Sequence, residues 1–148
     1  AMLGSLARWL RLFGFDTVLH RPGPEDAALA AQARTEGRWL LTRDRALAAV
    51  GPRTVLVRSE LLEDQLVETF ARLGLQPRPT LDQARCGECN GELEEASRER
   101  VAHDVPPYVL ATAPRFRRCA RCGRVYWPGS HGSRIAARMQ AVVDRLEG

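Results

Sequence analysis

Four cysteines stand in two pairs, Cys86-x-x-Cys89 and Cys119-x-x-Cys122. Each such hairpin can clamp two corners of a tetrahedron, so the two together predict a closed four-sulfur zinc site. Each pair runs into a small, turn-forming context, CGECNG and CARCGR, where glycine permits the tight turn after a metal loop. The 29 residues between Cys89 and Cys119 are enough for a strand excursion and return. A closed shell keeps no open position, so this zinc would be structural rather than catalytic. Four unligated thiols is the competing reading. In a reducing cytoplasm the spacing favours metal ligation over disulfides.

The second pair sits inside RRCARCGRVYWPGSH, residues 117–131. Residues 113–134 hold Arg115, Arg117, Arg118, Arg121, Arg124 and Arg134 with no acid, +6 in a chain whose net charge is +4. Phe116, Tyr126 and Trp127 alternate with them. Cations on phosphate with aromatic stacking on bases hold single-stranded nucleic acid without sequence preference. His131 could contact phosphate or donate a proton. In the blander reading the aromatics pack a thin core, the arginines solvate it and His131 is structural. All 22 basic residues are arginine, which genomic base composition can explain, although the planar fork also suits phosphate.

The carboxylates that could do chemistry lie in the other half: Asp16, Glu25, Asp26 and Asp44. Asp44 follows the apolar run WLLT through Arg43, and Asp26 opens a helical pattern. In open α/β sheets, ligand sites gather beyond the carboxyl ends of strands. Carboxylates converging there would bind Mg²⁺ or Mn²⁺ through oxygen, and such ions can activate water for phosphodiester cleavage. An aspartate at a helix start is also an ordinary cap, and the sequence leaves both roles open.

The elements that must position these groups follow from periodicity. Leu3, Leu6, Leu10 and Phe13 recur at helical spacing, predicting a helix over 2–13 that Gly14 stops. DTVLH at 16–20 reads as a short strand followed by an RPGP turn. Pro24, Glu25 and Asp26 suit the first turn of a second helix. RWLLT at 38–42 reads as a buried strand, DRALAAV at 44–50 as a helix and TVLVR at 54–58 as another strand. SELLEDQLVETFARL completes the half as a helix with Ser59 as its cap. Alternating helix and strand predict an α/β domain with a mostly parallel sheet at 1–78. GLQPRPTLDQAR carries two prolines and few anchors; the linker is placed at 79–85, the zinc ribbon at 86–132 and an amphipathic helix at 133–148. That helix carries the stripe Ile135, Met139, Val142, Val143 and Leu146, expected to dock on one of the modules. No apolar run approaches the roughly 20 residues of a membrane helix, and arginines interrupt the apolar pattern of the first residues. The expectation is a cytoplasmic protein without membrane contact.

Four stretches, MLGSLARWLRLFGFDT, EDAALAAQARTEGRWLLTRDRAL, VPPYV and RRCARCGRVYWPGSH, together resemble the Mut-seven C-terminal ribonuclease domain family. The resemblance spans Met2 to about Met139, with LLTRD and CGRVYWPGSH its most specific segments. It implies a PIN-like α/β nuclease domain with an appended zinc ribbon. Residue by residue, Asp44 in LLTRD and Asp26 in EDAALAA match the family's acidic site positions. Asp16 in GFDT matches a further one, and the four cysteines match the ribbon's zinc ligands. The family pattern begins with a strand ending in an aspartate just before MLG. Here the chain opens at Ala1-Met2-Leu3-Gly4, so a fragment, a short gene call or a site lacking one carboxylate is expected. Some members carry a ubiquitin-like domain upstream.

Two functions lead the expectations, with a third behind them. One is a metal-dependent endoribonuclease in which Asp26 and Asp44 ligate Mg²⁺ or Mn²⁺, Asp16 supports them and the ribbon holds RNA. The other is a catalytically incompetent zinc-ribbon protein that binds RNA or the ribosome. A protein-interaction role for the terminal helix is a third, with thinner support.

Overall fold

The computed structural model describes residues 3–20, 26–49, 53–128 and 130–148. Helix α1 (Gly4–Leu12) is followed by α2 (Asp26–Thr35), strand β1 (Leu40–Thr42), α3 (Arg45–Ala48), β2 (Thr54–Leu56) and α4 (Leu62–Leu73). The second half runs β3 (Leu93–Ala96), α5 (Arg98–Val101), α6 (Pro107–Thr112), β4 (Phe116–Cys119), β5 (Val125–Tyr126) and α7 (Ser130–Glu147). The result is a mixed α/β protein. β1 and β2 pair in parallel with Leu41 opposite Val55, and β3–β4–β5 form an antiparallel sheet.

The helical spacing of α1 works as read. Leu6 and Leu10 are buried, and with Trp9, Leu12 and Phe13 they join Val57, Leu66 and Phe70 in the main core. Phe70 is fully buried, with the ring of Phe13 edge-on to it at 5.1 Å and that of Phe15 tilted at 5.5 Å. Helix α7 docks on this α/β half: Met139 and Val142 are members of the same core. Ile135 and Leu146 pack against it, and Arg145 pairs with Glu63 and Asp64 of α4 at 2.8 and 2.7 Å. The apolar stripe is thus covered intramolecularly. A second, smaller core of Val101, Val105, Val109, Ala113 and Phe116 lies under the ribbon sheet.

Several expectations change. Residues 16–20 form no strand. Thr17 spends its backbone N–H on the Asn90 side chain at 3.0 Å and its hydroxyl on the Phe15 carbonyl, so no ladder forms there. Ser59 does not cap α4, whose N-cap is Leu61. The Arg58 and Ser59 amides instead donate to the Glu68 carboxylate. Burial opposes ionisation of Glu68, but these amides hold its carboxyl below its ordinary value. The proline-bearing stretch after α4 is anchored rather than loose: Leu75 and Leu81 pack on the main core, and the Arg85 amide donates to the Arg11 carbonyl at 2.8 Å. Phe116 is 1% exposed and packs the second core, so it offers no stacking surface. Pro24 and Glu25 lie outside the described residues, as do the side chains of Asp26 and His131.

Phe70→Ala should cost about 3–5 kcal/mol, because it opens a cavity where α1, α4 and α7 meet. Chemical denaturation checks this, and an unchanged midpoint would show that the core is not centred there.

Candidate metal centre and acidic cleft

Two backbone turns of the same shape build the cysteine centre. In the first, the Asn90 amide donates to the Cys86 carbonyl at 2.8 Å; in the second, the Gly123 amide donates to the Cys119 carbonyl at 3.0 Å. Each turn ends in a left-handed residue directly after its second cysteine, Asn90 with φ 71° and Gly123 with φ 79°. The four Sγ atoms lie within 4.8 Å of one another. Cys86 Sγ is 3.7 Å from Cys122 Sγ, and Cys89 Sγ is 3.4 Å from Cys119 Sγ. Tetrahedral sulfur bonds of about 2.3 Å place the sulfurs about 3.8 Å apart, so this spacing fits zinc. Gly91 makes the room: a Cβ there would stand 2.6 Å from Cys119 Sγ.

The surroundings favour the thiolate at two of the four positions and oppose it at Cys89, whose thiol burial pushes up to about 12. Burial pushes the Cys119 thiol up, but the Cys122 and Arg121 amides more than offset it and bring it down to about 7. Burial likewise opposes ionisation of Cys86, yet the Tyr126 hydroxyl, 3.0 Å from its sulfur, helps hold it below its ordinary value. The same hydroxyl accepts from the Gly87 amide at 3.2 Å. Tyr126 therefore orients one of the four cysteines that could hold a metal, as groups just outside a metal's own ligands do.

A cleft of about 940 Å³ opens in the α/β half. Its walls include Leu6 and Leu10 of α1, Leu29 of α2, the 15–20 segment and β1. Leu40 donates to Arg53 and Thr42 accepts from Val57, so the intervening Leu41 turns its own N–H and C=O toward the cleft. Asp44 and Asp16 both line it. Asp44 follows the carboxyl end of β1, and its Oδ1 accepts from the Ala46 and Leu47 amides at 2.8 and 3.3 Å as the cap of α3. Asp16 has both oxygens engaged: Asn90 Nδ2 donates to Oδ1 at 2.6 Å and Arg38 to Oδ2 at 3.1 Å. Those two bonds, Asn90 first, hold its carboxyl below the ordinary 3.8. The contact is therefore complete above that value and weakens as pH falls through the lower folded one. Among the described residues, only the four cysteines form a converging group of three or more candidate ligands.

The Mut7-C RNAse domain model matches residues 1–139. The chain belongs to the Mut7-C RNAse domain family. No curated protein and no solved structure matches it. RNA is the substrate that the family's name suggests, and among the described residues no helix of this Mut7-C chain is long and apolar enough to cross a membrane.

Its ribbon arginines are less free than their sequence suggests. Arg115 pairs with Glu95, and Arg118 with Asp104 at 2.6 Å. Arg117 donates to the Leu81 carbonyl at 2.8 Å, and Arg121 to that of Cys89 at 3.1 Å. Arg124 and Trp127 are exposed, and Arg124 makes no side-chain hydrogen bond among the described residues. Two residues the sequence reading passed over belong to the site's frame. Asn90 had a visible signal, occupying in CGECNG the place that glycine holds in CARCGR; Arg11 had none.

Tyr126→Phe should weaken zinc about 10–100-fold while leaving the stoichiometry at one ion per chain. Competition with a coloured chelator measures it, and equal affinity would show the hydroxyl to be a bystander.

Proposed function

We propose that this chain is a metal-dependent endoribonuclease of PIN-like type, with a structural zinc ribbon that helps hold the RNA strand. One observation carries the reading: Asp44 stands just past the carboxyl end of a parallel strand, on the wall of a large cleft, in a chain of an RNase domain family. Asp44 and Asp26 are the residues we assign to Mg²⁺ or Mn²⁺, whose Lewis acidity would serve phosphodiester cleavage. Asp44 keeps one carboxylate oxygen outside its capping bonds, which suits that role. Asp16, with both oxygens engaged, supports from the rim. Among the described residues nothing pairs with the free edge of β1 at Leu41, and a further parallel strand would fit along it.

On the ribbon, Arg124 and Trp127 are the surface groups best placed to meet RNA. Arg115, Arg117, Arg118 and Arg121 contribute field while they hold the fold, and Tyr126 serves the metal centre. His131 would add a contact near the start of α7.

A second reading is a zinc-ribbon RNA-binding protein whose acidic site is silent. It draws support from Asp16, whose oxygens are both committed within the protein.

Asp44→Asn separates the two, because asparagine still caps α3 while its charge is lost. Cleavage of labelled single-stranded RNA with Mn²⁺ should fall by about a hundredfold or more, with RNA affinity nearly unchanged. A variant that cleaves like the parent sinks the enzyme reading. Binding without cleavage by the parent, whether or not a strand is added upstream, favours the second.

A further inference from the structure

The two cysteine turns are alike in backbone and unlike at one residue. The left-handed position after the second cysteine is Gly123 in one turn and Asn90 in the other. Glycine is the usual occupant of that conformation, and asparagine is among the few residues with a side chain that adopt it readily. Here the side chain is used. Asn90 is 6% exposed, and its carboxamide reaches out of the ribbon to the cleft wall. Nδ2 donates to Asp16 Oδ1 at 2.6 Å, while Oδ1 accepts from the Thr17 amide at 3.0 Å and from Arg85 Nε at 3.2 Å.

The same turn holds Thr17 a second time. Arg11 donates through Nε to the Thr17 carbonyl and through NH1 to the Gly87 carbonyl, both at 2.9 Å. Gly87 lies between the cysteines of the first pair. Both polar groups of the Thr17 backbone thus depend on the Cys86–Cys89 turn. Asp16 carries the connection across the cleft, since its other oxygen meets Arg38 just ahead of β1.

We propose that Asn90 is a positioning residue that couples metal occupancy of the four-cysteine centre to the Asp16–Thr17 wall of the cleft. A bound metal fixes the left-handed turn and, through the carboxamide, fixes that wall. When the cysteines let go, the turn loses its constraint and the wall is released, while the core around Phe70 stays closed. The inference rests on the cysteines holding zinc and is independent of what the cleft does.

Amide hydrogen exchange on the full chain tests it, with zinc content measured in each sample. Asn90→Gly is the informative variant, because glycine keeps the left-handed turn and removes only the carboxamide. With zinc still bound, its Thr17 amide should exchange about tenfold faster or more than in the parent, with α4 amides unchanged. Stripping zinc from the parent with a chelator should produce the same local acceleration. Stripping the variant should add little at Thr17. Unchanged Thr17 exchange in the zinc-loaded variant overturns the role of Asn90. The stripped parent decides even if the variant fails to hold zinc. Unchanged Thr17 exchange there, or loss of α4 protection along with it, overturns the coupling. A parent that binds no zinc removes the premise, whatever the chain does to RNA.

Discussion

Arg11 carries a positive charge into a largely enclosed place. Its residue is 8% exposed, and the partners it finds are carbonyl oxygens, those of Thr17 and Gly87. Burying a guanidinium is costly unless its donors are satisfied, and here the bond to Gly87 forms only when the two halves of the chain lie together. Separating the ribbon from the α/β half would leave Arg11 NH1 and the Gly87 carbonyl without each other. The Arg85 amide on the Arg11 carbonyl and the Asn90 carboxamide on Asp16 and Thr17 complete the same joint. The ribbon, the cleft wall and the segment before the first cysteine are therefore set by one connected group of polar contacts.

The ribbon shows how charge in a sequence differs from charge on a surface. An acid-free stretch with six arginines reads as a basic patch. In the fold, Glu95 and Asp104 arrive from outside that stretch to meet Arg115 and Arg118, and backbone carbonyls take Arg117 and Arg121. A carbonyl has no letter of its own, so this pairing cannot be read from composition. Among the described residues of that stretch, Arg124 and Arg134 are the arginines left exposed and outside such pairing.

Much of the architecture was legible because it depends on local period. The stripes of α1 and α7 predicted their buried faces, and the apolar runs predicted β1 and β2, although Trp39 is 48% exposed and Leu40 and Leu41 are only half-buried. The cysteine centre was legible because two short spacings encode it. Asp44 was legible as a helix opening at a strand end. The reading failed where a distant group won the backbone. Residues 16–20 have the composition of a strand, but Asn90, 73 positions from Thr17, takes the donor that a ladder would need. Ser59 has the chemistry of a cap, but α4 begins only after Leu61 and the Ser59 side chain serves Glu68. Phe116 has the look of a stacking residue, but Val101, Val105 and Val109 enclose it. Convergence on a cleft belongs to tertiary structure, so spacing could nominate Asp16 and Asp44 without telling a tether from a cap.

Helix α7 returns to the first core after the ribbon has been completed. During synthesis the segments emerge in order, and α1, β1, β2 and α4 are made long before Met139 and Val142. The main core therefore waits, with Leu6, Leu66 and Phe70 incompletely covered, until α7 has been translated. Those long-range contacts make closure a late and comparatively slow event. The ribbon can set its own turns meanwhile, so its metal centre is able to form before the half that precedes it is finished.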